Sequence, residues 1–299
     1  MTDIAQNNTV DRRGVLSRLS TTTVRTLRKL ADEPLGMFGF AILAVLVLVA
    51  IFAPLIAPYD PARQALENAL QVPSWAHLAG TDEFGRDIFS RLVYGTRITI
   101  QTVLSVSVIV GPIGLAIGVM AGFFGGRTDA ILMRATDIVL SFPSLVLALA
   151  FAAAMGAGLG TAIIAISLTA WPPIARLARA EALVVRNTDY VAAARLYGAS
   201  PLRILFLYIA PMCIPSVIVR LTLNMAGIIL TAASLGFLGL GAQPPLPEWG
   251  AMISSGRKFM LDYWWVAVMP GIAILLTSLA FNIAGDTLRD LLDPRHARS

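Results

Sequence analysis

The sequence predicts an all-α integral membrane protein with six transmembrane helices, on three observations. Of its 299 residues, 57% are hydrophobic and only 14% are charged, where a soluble domain carries about 25% charged residues. Uncharged runs recur along the chain, and a crossing of a hydrocarbon core about 30 Å thick needs roughly 20 apolar residues. Lys and Arg gather in alternate segments between those runs, as a topology signal would place them. A soluble fold needs charge to cover its surface, so lipid must be part of this chain's solvent.

The spans follow in order. Residues 35–57 carry no charge and form the first. That run begins after 34 residues and is long, so a cleaved signal peptide is not expected. Residues 98–126 form the second. Residues 138–175 are uncharged throughout, which as one helix would measure about 57 Å and is too long for a single crossing. Gly156, Gly158 and Gly160 supply a turn inside it, giving spans three and four. Trp171-Pro172-Pro173 should kink or end span four. Pro211 and Pro215 break the next apolar run, so span five is expected over residues 212–235. Residues 263–285 make span six.

If six spans alternate, sixteen Lys and Arg fall on one side and five on the other. The first group comprises Arg12, Arg13, Arg18, Arg25, Arg28, Lys29, Arg127, Arg134, Arg176, Arg179, Arg186, Arg195, Arg203, Arg289, Arg295 and Arg298. The second is Arg63, Arg86, Arg91, Arg257 and Lys258. Both termini are therefore expected in the cytoplasm. The expected organisation is a cytoplasmic tail 1–34, a transmembrane domain 35–287 and a cytoplasmic tail 288–299. Within the domain lie extracytoplasmic loops 58–95 and 241–262 and a cytoplasmic loop 179–203.

The net charge of +5 does not mark a nucleic-acid partner, because the basic residues sit between apolar runs. Cys213 is the only cysteine, so no internal disulfide forms, and His77 and His296 have no ligand neighbours at metal-binding spacing. No phosphate loop occurs: residues 250–258 have the wrong spacing and no Ser or Thr after Lys258. No paired buried carboxylates or Ser/His/Asp set stands at a useful spacing, so catalysis is not expected in this chain.

The segment between spans four and five is the most informative. Asn187-Thr188-Asp189 offers N-cap side chains, and Asp189 suits the positive end of a helix. Residues 190–197 form a good short helix with Tyr190, Ala194 and Tyr197 on one face. Gly198 fits the left-handed C-terminal position, and Ser200-Pro201 opens a second helix. On residues alone this is either an amphipathic helix on lipid headgroups or a docking helix for a cytoplasmic partner. Arg220 is a basic residue deep in an apolar run, with Asn224 one helical turn away on the same face. The two either line a wet pathway or pack and snorkel.

These residues carry a resemblance. Ala192-Ala193-Ala194, Gly198 and Pro211 stand at the spacing of the EAA loop of ATP-binding-cassette importer permeases. Ala192 replaces its Glu, Tyr208 its Ile and Ala210 its Leu. The stretch from Gly80, Thr81 and Asp82 through Gly85, Arg86 and Asp87 to Arg91 resembles the extracytoplasmic signature of the dipeptide/oligopeptide/nickel permease family. Residues 122–129, 233–245 and 281–295 resemble its loop between spans two and three, its span-five exit and its C-terminal end.

The resemblance covers residues 35–295 and points to the C type of two permease subunits. It implies the type I importer fold and a heterodimer with a homologous B-type permease. It also implies two cytoplasmic ATPase subunits that bind ATP and Mg, and an extracytoplasmic substrate-binding protein. The chain itself would bind no cofactor and sit in a bacterial plasma membrane, the inner one if Gram-negative. Asp189, Tyr190, Ala192, Ala193, Ala194, Arg195, Gly198, Ser200 and Pro211 would couple to an ATPase. The solutes of such subunits include dipeptides, oligopeptides, glutathione and nickel chelates. A stand-alone secondary transporter is the rival class. Such a protein usually shows inverted repeats and intramembrane carboxylates, and neither is evident here.

Independently of the resemblance, residues 80–91 can serve to cap helices and pair charges internally, or to contact a binding protein. Trp249, Trp264 and Trp265 suit an interfacial aromatic belt.

Overall fold

The computed structural model describes residues 34–292. The tail residues 1–33 and 293–299, with the basic residues expected there, lie outside them. The described chain is helical. The long elements are α1 (Pro34–Ile51), α2 (Ile88–Phe124), α3 (Gly126–Leu140), α4 (Ser144–Met155), α5 (Leu159–Ala170) and α6 (Pro172–Val185). They continue with α7 (Asp189–Leu196), α8 (Pro201–Phe237), α9 (Trp249–Gly256) and α10 (Trp265–Leu292). Five stretches are long and apolar enough to cross a membrane, and the bent pair α3–α4 brings the number to six when its two arms are taken together as one span.

α2 organises the bundle. Its 37 residues reach about 55 Å, well beyond one bilayer core. Asp87 caps it by accepting from the Ser90 N–H at 2.7 Å. Gly114, Gly118 and Gly122 recur every four residues and face α6, where any Cβ would strike Ile174, the Ala175 carbonyl or Ala182. Small residues at this spacing let two backbones close together without a side chain between them. α1 uses the same device: Gly36 and Gly39 lie against Thr287, Ile283 and Ala284 of α10. The rest of α1 is largely exposed and apolar, as a lipid-facing helix should be.

Several sequence-based bounds shift. Span two belongs to a helix that begins at Ile88 rather than 98: Arg91 in its first turn is buried beside Asp82, and Arg97 is carried on its exposed face. The loop expected at 58–95 is shortened accordingly. Span three starts at Gly126 and is broken, with α3 and α4 bent by 87°. Pro143 has no N–H to donate and pushes Phe142 away from helical geometry. The glycine turn at 156–158 falls where expected, between α4 and α5. Trp171 interrupts span four without ending it, and Pro172 begins α6 as a first-turn proline.

α6 then runs on to Val185. Arg176 and Arg179, expected in the loop 179–203 or beside it, are helical instead. Arg176 pairs with Asp137 at 2.6 Å, and Arg179 binds both oxygens of Asp129 at 2.5 and 2.6 Å. Those acids belong to the first arm of the broken span. α8 starts at Pro201, not near 212. A π-helical turn at Leu205–Ile209 lets the Ala210 N–H reach Leu205 O five residues back, so Pro211 is accommodated rather than breaking the helix. Helix α10 extends past 287 to Leu292. Trp249 and Trp265 are buried, at 2% and 4% exposure, and only Trp264 of the three is exposed. The Trp249 Nε1–H donates to Leu92 O at 3.2 Å, so it is a packing residue rather than a belt residue.

Candidate functional site

Three groups of side chains stand out, at the two ends of α2 and between them. The first is the α7 knob. Thr188 occupies the N-cap position with extended backbone, but its hydroxyl donates back to Val185 O at 2.8 Å and caps nothing. Asn187 likewise donates to Leu183 O. The expected side-chain capping is therefore absent from the start of α7, although Asp189 does occupy its first turn.

The end of α7 is as expected. Gly198 sits at φ +76°. Its N–H reaches Arg195 O at 3.0 Å, and the Ala199 N–H reaches Ala194 O at 3.1 Å. This pair of bonds is the Schellman closure, which needs a left-handed residue. Ser200 Oγ then accepts from the Arg203 N–H at 3.4 Å, with Pro201 at the first helical position.

Val191 and Ala194 pin α7 to the core, while Ala192, Ala193, Arg195 and Ser200 are exposed. Tyr197 is 92% exposed and Leu196 89%. Tyr190, Tyr197, Gly198, Arg203 and Tyr208 line a groove of about 360 Å³ beside the knob. The Tyr190 and Tyr208 rings on its wall pack against each other, with centroids 5.1 Å apart. Pro211 is exposed further along α8 and does not reach this groove. A knob closed at its end, with aromatic and aliphatic side chains held out of the core, has the makings of a docking surface.

The second group is the 80–91 network at the opposite end of α2. Gly80 and Gly85 take φ of +75° and +69°. Asp82 accepts from the Phe84 and Arg86 N–H groups and pairs with Arg86 Nε at 2.6 Å. Asp87 accepts from Ser90 and lies 2.9 Å from His77 Nδ1. The Gln71 N–H donates to Thr81 Oγ1, whose own hydrogen goes to Asn68 O. Thr81, Asp82, Arg86 and Asp87 are all buried. Their charges face one another, so this segment is an internal clamp on the α2 start. The sequence shows His77 only as a histidine without ligand neighbours at metal-binding spacing, because its partner Asp87 is brought to it by the fold.

The third group lies between the ends. Arg220 is exposed on α8, and Asn224 lines a cleft that opens where α3 and α4 part. Sequence reasoning placed these two on one face and missed the cleft, since its other walls come from residues more than fifty positions upstream. Among the described residues no group of three or more His, Cys, Asp or Glu could hold a metal ion.

Residues 114–298 match the family described as binding-protein-dependent transport system inner membrane component, and residues 21–73 match the N-terminal transmembrane domain of oligopeptide transport permease C. The chain is 47% identical over 266 residues to a probable D,D-dipeptide transport system permease protein of Escherichia coli K12, covering 89% of each. It is 46% identical over 264 residues to a di/tripeptide transport system permease protein of Pseudomonas aeruginosa, covering 86% of this chain and 87% of the relative. Among solved structures, a chain of the MetNI methionine ABC transporter in an inward-facing form superposes with a TM-score of 0.57 at 21% identity. That match covers 69% of this chain and 98% of the other, which establishes a shared fold.

Proposed function

Because the chain belongs to the family of binding-protein-dependent transport system inner membrane components, we propose that it forms half of the pathway by which an ATP-driven importer takes up short peptides. The family is one of inner-membrane transport permeases, not of enzymes, and its members work with ATPase and substrate-binding partners. The finer reading is our own. The sister subunit is a homologous B-type permease, and two cytoplasmic ATPase subunits hold ATP and Mg. The relatives' names, which specify dipeptides and tripeptides, favour peptides over nickel chelates or glutathione.

The observation that carries the coupling assignment is the α7 knob. It is closed by a Schellman motif, pinned by Val191 and Ala194, and otherwise exposed beside an aromatic groove. A knob rigid enough to move as one body can pass a displacement from an ATPase to α6 and α8, which flank it. ATP would favour one arrangement of the permease pair over the other through its differential affinity for the closed ATPase dimer.

Gly198→Val tests this. A left-handed position costs a residue with a side chain about 1 kcal/mol or more, and a β-branched one should unwind the closure. Peptide uptake should fall sharply while the variant still inserts. ATPase subunits should co-purify less, or hydrolyse ATP without responding to the loaded binding protein. If α7 merely lies on lipid headgroups, ATPase co-purification and stimulated hydrolysis both keep wild-type values.

A further inference from the structure

We propose that the cleft at the α3–α4 break is a contact site for the main chain of a passing peptide, with Asn224 meeting its amides and Arg220 its carboxylate. This rests on the importer reading above. The cleft holds about 300 Å³ between Phe142 and Ser144 of the break, Ile166 and Thr169 of α5, and Asn224 and Thr231 of α8. The backbone turns through 87° at that point. Non-helical backbone at membrane depth is tolerated only where it is buried in protein or lines a water-filled cavity. The break and the cleft are therefore one feature, a mostly apolar recess that carries the polar side chains Ser144, Thr169, Asn224 and Thr231.

The hydrogen-bond states of the lining groups define the ligand. Thr169 Oγ1 donates to Ile166 O at 3.0 Å, and Thr231 Oγ1 donates to Gly227 O at 2.8 Å. Both hydrogens are committed to their own helices, so these hydroxyls offer only lone pairs to the cleft. They can take N–H groups of an amide or an ammonium. Asn224 takes part in no hydrogen bond among the described residues, and its amide both donates and accepts. It matches a peptide unit, which has one of each.

Arg220 lies one turn below, exposed and with no ion pair among the described residues. Four residues of helix rise about 6 Å, and an extended dipeptide spans at most about 7 Å. Arg220 stands just outside the cleft lining, so a carboxylate held there brings the far end of an extended dipeptide to Asn224, and only a longer peptide reaches on to the oxygen of Thr231, about 10 Å further along α8. Phe142 and Ile166 supply apolar wall without a charged or size-selective pocket, so side chains of many kinds are accommodated. The ligand class is a short zwitterionic peptide read through its main chain.

The test uses the complete transporter in proteoliposomes with its binding protein, and dialanine as the probe. Asn224→Leu should lower dialanine moved per ATP hydrolysed by about tenfold, the scale of one lost hydrogen bond to a polar partner. Arg220→Lys should keep more transport than Arg220→Gln, because it keeps the charge. For a direct readout, Asn224→Cys is made in a Cys213→Ala background and treated with a water-soluble methanethiosulfonate. Dialanine with the loaded binding protein and vanadate should slow that labelling, while a Leu238→Cys control outside the cleft is unaffected.

Wild-type dialanine per ATP in Asn224→Leu, or labelling of Asn224→Cys that ignores dialanine, would overturn the site. Failure of the importer reading looks different, since the unmutated complex would then show no ATPase response to its loaded binding protein.

Discussion

Glu248 shows how a single side chain joins two parts of the fold. Its carboxylate accepts from the Gly250 and Ala251 N–H groups at 2.9 and 2.7 Å and so caps α9. It also lies hard against Gly236 of α8, where any Cβ would collide with it. Burial pushes its pKa up from the ordinary glutamate value of 4.5, and the two backbone N–H bonds pull it partly back. A carboxyl raised in the folded state favours folding when protonated. That contribution is full below pH 4.5 and is lost as pH rises through the raised value. Glu248→Gln keeps a carbonyl acceptor for the cap and removes the titration. The purified subunit's thermal midpoint should thus decline less for the variant than for wild type between acid and neutral pH. Parallel curves would show that Glu248 is not the group responsible. The residue was invisible in the sequence, because its burial depends on α9 folding back between α8 and α10.

At the scale of elements, the seam between α2 and α6 decides whether the bundle closes. The Gly118 position has the Ala175 carbonyl and the Ala178 side chain where a Cβ would stand. Gly118→Leu should force the helices apart and destabilise by about 1–3 kcal/mol, the usual cost of overpacking. Ala116→Leu, on an exposed face of the same helix, should leave the thermal midpoint unchanged. Equal behaviour of the two variants would refute the seam. The existence of the spans was legible from charge-free runs, and so were the Gly156 turn and the Gly198 closure, because each rests on local chemistry. The bounds were not. Pro211 reads as a breaker until the π turn at Leu205–Ile209 rotates the bond pattern around it. Arg176 and Arg179 read as loop residues until Asp137 and Asp129 approach from α3. The cleft needs three separate stretches of chain to meet, and no local pattern announces that.

For the whole molecule, α2 fixes which features can share a side. The 80–91 clamp holds its first turn, while near its last turn Gly122 packs on Ala182 and the Arg186 guanidinium donates to Gly122 O at 2.8 Å. The clamp and the α7 knob therefore lie at opposite ends of a helix about 55 Å long, and any membrane α2 crosses must separate them. By the Lys and Arg partition, the richer set and both termini are expected to face the cytoplasm, and labelling from the two sides tests that orientation. Pairing weakens part of that bias, since Arg86 and Arg179 face acids within the fold. Arg195 and Arg203 beside the knob are exposed and still count. The native Cys213 is buried, so thiol mapping needs little background correction. Cysteines placed at Ser74 and Ser254 should react with an impermeant maleimide on intact cells. Those at Ser200, on the knob, and at Ser20, in the N-terminal tail, should react only after the membrane is opened. Labelling of Ser200→Cys from outside would place the knob away from any cytoplasmic ATPase and would remove the coupling assignment with it.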